Sequence, residues 1–365
     1  MDEIYVINDD RHYESFRKKT FSGFKKNDII NAVLKSIESK KVENACFWTT
    51  ECILSGYSLT LWEKLVNFSG KIIHINNPNL PNYLYRKSIV FFNQINRLNT
   101  TSKDKYLFLR NSQMIRNLFF DVVSTLGTSS KTKRYDKYPK IDDSEDFIFT
   151  NIQKRLCSGM NILPSHIIHF NDPEEIRIII NEIFSLLKNK QFGYDKCCYW
   201  ILWLLKYEVV HKKKKKVWLI DEREVEGVHK KYCGNIVWVL WETIFEEMNL
   251  RKNRNISKQI KSLYELFKSN YTTGKRTSRI PLIFNAIGYL THTISFQIPI
   301  RTDYKLFIQV QSNVNKMFGA NKKHEIKNDK MYDDIPKNAP KKENIEKEII
   351  NDKIGIFNEI DQLLS

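Results

Sequence analysis

Apolar side chains recur along most of the chain at the three- and four-residue spacing of a helix that buries one face. Between residues 27 and 39, for example, Ile30, Val33, Leu34 and Ile37 fall on the same side. Polar breaks separate such stretches from one another, and each stretch predicts a helix. The predicted helices cover residues 27–39, 42–54, 59–73, 83–98, 107–126, 147–158, 173–189, 195–210, 232–248, 256–267, 280–298 and 305–318.

The breaks also predict how an all-α protein is divided into parts. A loop that is first basic and then acidic separates two helical subdomains, and a charged, Asn-rich stretch with two prolines indicates a linker. The segment around Ile4–Ile7 shows only a weak strand-like pattern. The expected parts are an N-terminal segment 1–20, a helical subdomain 21–126, a connecting loop 127–146, a basic helical subdomain 147–318, a linker 319–343 and a C-terminal amphipathic helix 344–365.

Two further patterns concern the relation between these parts. Residues 44–48 (NACFW) and 196–200 (KCCYW) share an order of small, aromatic and Trp side chains, which indicates either an internal duplication or the reuse of one core pattern. In the helix 344–364, Ile345, Ile349, Phe357 and other apolar residues share a face. That helix is expected either to fold back on the body or to bind a partner protein.

The composition excludes several classes of protein. With 12 Gly and nine Pro among 365 residues, the chain lacks the turn residues of a β-sandwich or a propeller. It has no run of about 18 apolar residues, so no membrane insertion is expected, and its acidic N-terminus lacks the apolar region of a signal peptide. Six cysteines without a C-x-x-C pair then predict a reducing, intracellular location.

The net charge of +17 predicts a polyanion as the partner. Residues 319–365 contain nine Lys/Arg and ten Asp/Glu, so residues 1–318 contain 50 against 32. Residues 206–279 alone contain 18 Lys/Arg against nine Asp/Glu. Because the excess lies in the helical body, we expect the body to contact nucleic acid, DNA or RNA, through its phosphates.

Two basic segments are the candidates for these phosphate contacts. The lysine loop 212–216 offers point charges on a turn, and the stretch 251–279 interleaves Lys and Arg with Tyr264, Phe267 and Tyr271. These aromatic rings would stack on bases if exposed, or belong to the core if buried. Arginine is favoured over lysine because its planar guanidinium matches a phosphate group. The predicted nucleic-acid-binding residues are Lys212, Lys213, Lys214, Lys215, Lys216, Arg251, Lys252, Arg254, Lys275, Arg276 and Arg279.

The sequence offers no motif for catalysis, a metal site or a cofactor. Its Gly-Lys pair at 274–275 is followed by Arg and lacks the upstream glycine of a phosphate-binding loop. Cys157, His166 and His169 form the nearest set of metal-ligating side chains, and they fall short of four ligands. We therefore expect a non-enzymatic nucleic-acid-binding or assembly factor. The alternative is a structural or interaction protein without direct nucleic-acid contact.

Four segments carry a resemblance to a known family. They are Phe21-Ser22-Gly23-Phe24, Asn44-Ala45-Cys46-Phe47-Trp48, the lysine run before Val217-Trp218, and the stretch from Asn235 to Glu242. They resemble a family of uncharacterised proteins shared among large nucleocytoplasmic DNA viruses, over residues 20–300. The family has no assigned activity, so no functional residue follows from it. The resemblance implies a viral protein that acts in genome replication, transcription or handling. Its expected location is the host cytoplasm or the viral factory, or it is packaged in the virion. The alternative function is then that of a structural protein of the virion or the factory.

Residues 27–81 resemble a second family more locally. The matching features are Lys35-Ser36-Ile37, the segment 44–48 and Asn77-Pro78. They are similar to the helical collar domain of clamp-loader-type ATPases, in particular the replication-associated recombination ATPases. That collar mediates oligomerisation and contains no nucleotide site. The ATPase module that precedes it in that family has no counterpart in the 26 upstream residues, so the resemblance implies a helical, non-catalytic unit.

Overall fold

Helices form the regular secondary structure of this protein wherever the structure describes it. The computed structural model describes residues 3–132, 139–213 and 220–327. Within these ranges no strand occurs, and the predicted all-α class is confirmed. The predictions that concern residues 133–138, the lysines at 214–216, the linker beyond residue 327 and the C-terminal helix lie outside the described residues.

Fourteen α-helices follow one another in the described part of the chain, and none has the length and apolar character needed to cross a membrane. They are α1 (Lys26–Glu38), α2 (Val42–Leu54), α3 (Ser58–Phe68), α4 (Leu80–Asn96), α5 (Lys105–Phe108), α6 (Gln113–Thr128), α7 (Phe149–Arg155), α8 (Glu174–Leu187), α9 (Gly193–Lys213), α10 (Ile236–Arg251), α11 (Arg254–Lys268), α12 (Arg276–Thr291), α13 (Tyr304–Ser312) and α14 (Val314–Ala320).

Most of the predicted helices occur near their predicted positions. The predicted helix 59–73 changes after Phe68 to a π-helix (Ser69–Ile73), the one predicted for 280–298 ends at Thr291, and two others are divided into separate α-helices. The predicted helix 107–126 is interrupted at Ser112, whose backbone is extended and whose hydroxyl accepts a hydrogen bond from the N–H of Ile115 (3.4 Å). This is the N-cap of α6. The predicted helix 305–318 is likewise divided at Asn313. Apolar spacing continues across both breaks because the helices on either side contribute to the same core.

Helices from both predicted subdomains belong to one compact unit that extends to Glu325. Helix α4 of the first packs on α11 of the second. The backbone N–H of Asn82 donates to Oε1 of Gln259 (2.9 Å), and Nδ2 of Asn82 donates to the hydroxyl of Ser262 (3.1 Å). Contacts thus cross the predicted boundary at 127–146, while the division into subdomains and the internal duplication remain predictions from the sequence.

Helix α12 lies at the centre of this unit, and fourteen of its sixteen residues are buried. Helices α3, α8, α9, α10 and α11 all contact it. Two glycines allow the chain to approach α12 closely. A Cβ at Gly70 would lie 2.9 Å from Cδ2 of Leu282, and one at Gly288 would lie 2.6 Å from Cε1 of His74. Burial lowers the pKa of His74 to about 3, so it is a neutral part of the core.

Four of the five tryptophans predicted to form the core are buried, namely Trp200, Trp203, Trp238 and Trp241. The fifth, Trp48, is half-buried and packs edge-on against Phe24, with ring centroids 5.5 Å apart. The burial prediction therefore holds in full for four positions and in part for Trp48. Large aromatic rings at these positions remove more apolar area from water than any other side chains.

Replacement of Trp238 by Ala should lower the free energy of unfolding by about 3–5 kcal/mol, because it removes a buried ring and leaves a cavity. Trp238 packs against Phe267 and Tyr271, with ring centroids 5.7 and 4.8 Å away. Denaturant titration followed by circular dichroism measures the change. A variant that unfolds at the same midpoint as the wild type would show that Trp238 does not contribute to the core.

Candidate nucleic-acid interface

The strongest predicted phosphate contacts lie at the first turn of α12, and the structure places them inside the protein. Arg276 is buried, and its Nη1 contacts the carboxylate of Glu208 on α9 and donates to Oδ1 of Asn235 (3.0 Å). Glu208 is itself fully buried. The guanidinium of Arg276 therefore neutralises an internal carboxylate and does not face solvent, which corrects its predicted contact with phosphate.

Arg279, one turn further along α12, is also internal, with 6% of its side chain exposed. Its Nη1 donates to the carbonyl oxygen of Phe267, and its Nη2 lies 3.7 Å from the carboxylate of Glu63 on α3. Lys275 shares that carboxylate, with Nζ 2.5 Å from Oε1. The prediction is therefore corrected for Arg279 as well, and Lys275 is half-buried in an ion pair.

The two basic segments predicted separately meet at Glu208. Lys212, in the last turn of α9, lies with its Nζ 2.8 Å from Oε1 of the carboxylate that also binds Arg276. Lys212 is half-exposed, and Lys213 is exposed. The tertiary structure thus brings the beginning of the lysine loop next to the first turn of α12, although 63 residues separate Lys212 from Lys275 in the sequence.

The third predicted group lies at the opposite end of α12. Arg251 donates to the carbonyl oxygens of Leu290 and Leu187 and pairs with Glu247 at 2.8 Å. Lys252 and Arg254, in the turn between α10 and α11, are exposed. Since Leu290 is fourteen residues beyond Arg276, a helical rise of 1.5 Å per residue separates this group from the first turn by roughly 20 Å.

The aromatic side chains that would stack on bases are packed inside instead. Phe267 and Tyr271 are buried and Tyr264 is half-buried. All three pack against Trp238 of α10, with ring centroids between 4.8 and 6.3 Å away. Burial raises the pKa of Tyr264 to about 12. The alternative in which these rings belong to the core is the one that the structure shows.

A groove with exposed lysines lies beside the first turn of α12, between α1, α3 and the turn that follows α3. Its volume is about 440 Å³. The lining residues on α1 are spaced as one face of a helix, and those on α3 are followed by two from the π-helical turn Ser69–Ile73. We call it the lysine groove, and its lining residues are Asn31, Leu34, Lys35, Glu38, Lys64, Asn67, Phe68, Lys71, Ile72, Ser278 and Pro281.

The lysine groove combines three ammonium groups with one carboxylate. Lys35 and Lys64 are exposed, Lys71 is half-buried, and Glu38 lies at one end. Basic charge continues beyond that end, where Lys131 donates to the carbonyl oxygens of Leu126, Gly127 and Ser129 at 2.6–2.8 Å. Burial, together with nearby Lys40, lowers the pKa of Lys131 to about 8. The groove is therefore positive in its lining and along one edge.

Sequence reasoning missed this groove because its lysines come from segments far apart in the chain and none belongs to a basic run. One signal was present. Lys64 and Lys71 are seven residues apart in a segment predicted as one helix, so they occupy the same face. Their proximity to Lys35 and Ser278 depends on the packing of α1, α3 and α12, which spacing within one helix does not reveal.

No protein-family profile, no curated protein and no solved structure matches this chain. Within the described residues, no group of three or more His, Cys, Asp or Glu side chains is placed to hold a metal ion. Two of the three metal-ligating residues named from the sequence, Cys157 and His166, have other contacts. Cys157 lies with its Sγ 2.9 Å from Nζ of Lys196, and His166 lies 3.3 Å from the carboxylate of Glu246.

Replacement of Arg276 by Met should lower the free energy of unfolding by about 3 kcal/mol or more, because the fully buried Glu208 then retains only the half-exposed Lys212. The double variant Arg276→Met/Glu208→Leu should recover much of this loss, since neither buried charge remains. The exposed control, Lys212→Met, should change stability by less than about 1 kcal/mol. Urea denaturation measures all three.

The opposite result for the single variant would place the Arg276 side chain at the surface. An Arg276→Met variant with unchanged stability and weakened nucleic-acid binding would show that its guanidinium contacts phosphate rather than Glu208.

Proposed function

We propose that the protein is a non-enzymatic nucleic-acid-binding factor that contacts phosphates through the lysine groove. The observation that carries the proposal is the convergence of the exposed Lys35 and Lys64 on one groove, in a chain of net charge +17. Lysine ammonium groups bind phosphates as point charges and release condensed counterions when they do so. Lys212 adds a further, half-exposed ammonium group beside the first turn of α12, next to the Arg276–Glu208 pair.

Neutral polar groups in the groove support the same function. Asn31, Asn67 and the hydroxyl of Ser278 line it together with the lysines. In protein–nucleic-acid interfaces such side chains bond to phosphate and sugar oxygens and set the orientation of the ligand. The resemblance to proteins of large DNA viruses, if it reflects descent, would place this activity in viral genome replication, transcription or handling.

The turn that carries Phe170 favours a second candidate function. In this alternative the chain is an interaction protein without nucleic-acid contact. Phe170 is 99% exposed at the tip of the turn. The turn is nevertheless held firmly, since the N–H of His169 donates to Asp172 (2.8 Å), and the buried Arg223 pairs with the same carboxylate at 2.5 Å. A fully exposed aromatic side chain on such a turn is typical of a protein interface.

Charge reversal in the groove tests the first function. The variant Lys35→Glu/Lys64→Glu should weaken binding to nucleic acid of any sequence and make the slope of log affinity against log salt shallower by about two. Because both side chains are exposed, stability should change by less than about 0.5 kcal/mol each. Fluorescence anisotropy with labelled oligonucleotides at several salt concentrations measures the affinity and the slope.

The matched control is Lys258→Glu/Lys261→Glu, which makes the same change in net charge on the exposed face of α11. It should reduce affinity much less than the groove variant. Equal losses for both variants would mean that the overall field, rather than this groove, attracts the polyanion, and the site assignment would fail.

The turn at Phe170 gives the test of the second function. Phe170→Ala should melt at the same temperature as the wild type, because a ring that is 99% exposed buries almost no area. If the chain assembles through this turn, sedimentation velocity should show a smaller species for Phe170→Ala and no change for the control Phe149→Ala, whose ring is 64% exposed. Identical sedimentation of all three proteins would remove the turn as an assembly site for copies of this chain.

A further inference from the structure

A second cavity, separate from the lysine groove, lies between α4 and the segment that precedes α13. Its volume is about 340 Å³, at the lower end of the range of small-molecule sites. Helix α4 lines it with residues spaced as one face of the helix, namely Asn82, Tyr83, Arg86, Lys87 and Val90. Ile300 and Arg301 complete the lining, and none of these residues lines the lysine groove. We call this cavity the arginine pocket.

One carboxylate holds two cations of the arginine pocket close together. Nζ of Lys87 lies 2.5 Å from Oδ2 of Asp121, and Nη2 of Arg301 lies 2.6 Å from Oδ1 of the same side chain. Because both contacts end on one carboxyl group, Nζ and Nη2 are no more than roughly 7.5 Å apart. Nε of Arg301 also donates to Oδ1 (3.1 Å), which fixes the plane of the guanidinium.

Aromatic rings constrain the same two cations. Nζ of Lys87 and Cζ of Arg301 lie 5.5 and 5.8 Å from the centroid of the Tyr83 ring. Cζ of Arg301 lies 4.3 Å from the centroid of the Phe307 ring on α13. Cations are attracted to ring faces at such distances. The side chains of Lys87 and Arg301 are nevertheless 29% and 30% exposed, so a ligand can reach cationic groups whose positions are already set.

The arginine pocket remains positive after this pairing. Asp121 offsets one of the two charges that it holds, and Arg86, exposed on the same face of α4, adds another, so these four side chains have a net charge of +2. An ammonium has three donors and a guanidinium five, so donors remain beyond those that bind Asp121. A phosphate monoester has a charge of about −1.5 to −2 at pH 7. The charge of the pocket therefore matches a monoester better than the singly charged phosphodiester of a nucleic-acid backbone.

We propose that the arginine pocket binds a phosphate monoester, which Arg86, Lys87 and Arg301 contact together. The planar fork of an arginine pairs with two phosphate oxygens at once, and the lysine adds a point charge. Two sources carry this chemical group, a free phosphorylated small molecule and the 5′-phosphate at the end of a nucleic-acid strand. The proposal does not depend on binding of phosphodiesters in the lysine groove, because the two sites share no lining residue.

Titrations of the full-length protein near pH 7.5 test the proposal. Methyl phosphate and dimethyl phosphate differ by about one negative charge, and phosphorus NMR line broadening measures how tightly each binds. Methyl phosphate should bind about tenfold more tightly, because the additional charge strengthens the hydrogen bonds that it accepts. A short oligonucleotide with and without a 5′-phosphate, followed by fluorescence anisotropy, distinguishes the two sources.

Variants assign the binding to the arginine pocket. Arg86→Gln should lower the affinity for methyl phosphate about tenfold, since it removes a charged donor. Arg301→Lys retains a cation beside Asp121 but loses the planar fork, so it should also weaken binding. The matched control is Arg97→Gln, which makes the same change of charge at an exposed position just beyond α4 and should bind as the wild type does. Circular dichroism verifies that each variant is folded.

The outcomes identify the source or overturn the proposal. A gain of affinity from the 5′-phosphate that Arg86→Gln abolishes would identify a strand end as the ligand. Equal affinity of the two oligonucleotides, together with a preference for methyl phosphate, would identify a free small molecule. The proposal is wrong if neither the methyl ester nor the 5′-phosphate is preferred, or if Arg86→Gln and Arg97→Gln lose affinity equally.

Discussion

A buried guanidinium needs acceptor oxygens for its N–H donors, and this constraint decides the surroundings of each buried arginine in this chain. Among the described residues, five of 14 arginines are buried and no lysine is. Arg116 shows how strong the constraint is. Its donors are taken by carbonyl and amide oxygens of Tyr5, Arg110, Asn111 and Asn315. Burial lowers its pKa to about 10, yet four N–H donors of the planar group are bonded, and the bond to Tyr5 holds the N-terminal segment against α6.

The same constraint organises the first turn of α12. Glu208 and Glu63 come from α9 and α3, and each is matched by cationic groups near the start of α12. Unpaired, either buried guanidinium would cost several kcal/mol, so these pairs fix the approach of three helices rather than offering charge to a ligand. The positive field outside the protein comes mainly from lysines, whose strongly hydrated ammonium groups remain at the surface on flexible stems, together with exposed arginines such as Arg86, Arg97 and Arg254.

The predominance of lysines among the exposed cations shapes the proposed function. A groove lined by lysines attracts phosphates at long range but imposes little geometry on them, so affinity should depend on salt more than on sequence. The rigid aromatic groups that could add specificity are used in the core around Trp238, where burial stabilises the fold.

The sequence by itself determined the helical class and most helix positions, because 3.6-residue spacing of apolar side chains is a local property. It also showed that the charge lies in the body, and it identified Trp200 and Trp238 as core residues. Only the tertiary structure decided which cations reach solvent. Arg276 and Arg279 were predicted to bind phosphate from their chemistry, but that chemistry equally suits Glu208 and Glu63, which lie 68 and 216 residues away in the chain. The groove depends in the same way on packing between α1, α3 and α12, and periodicity within one helix contains no information about its neighbours.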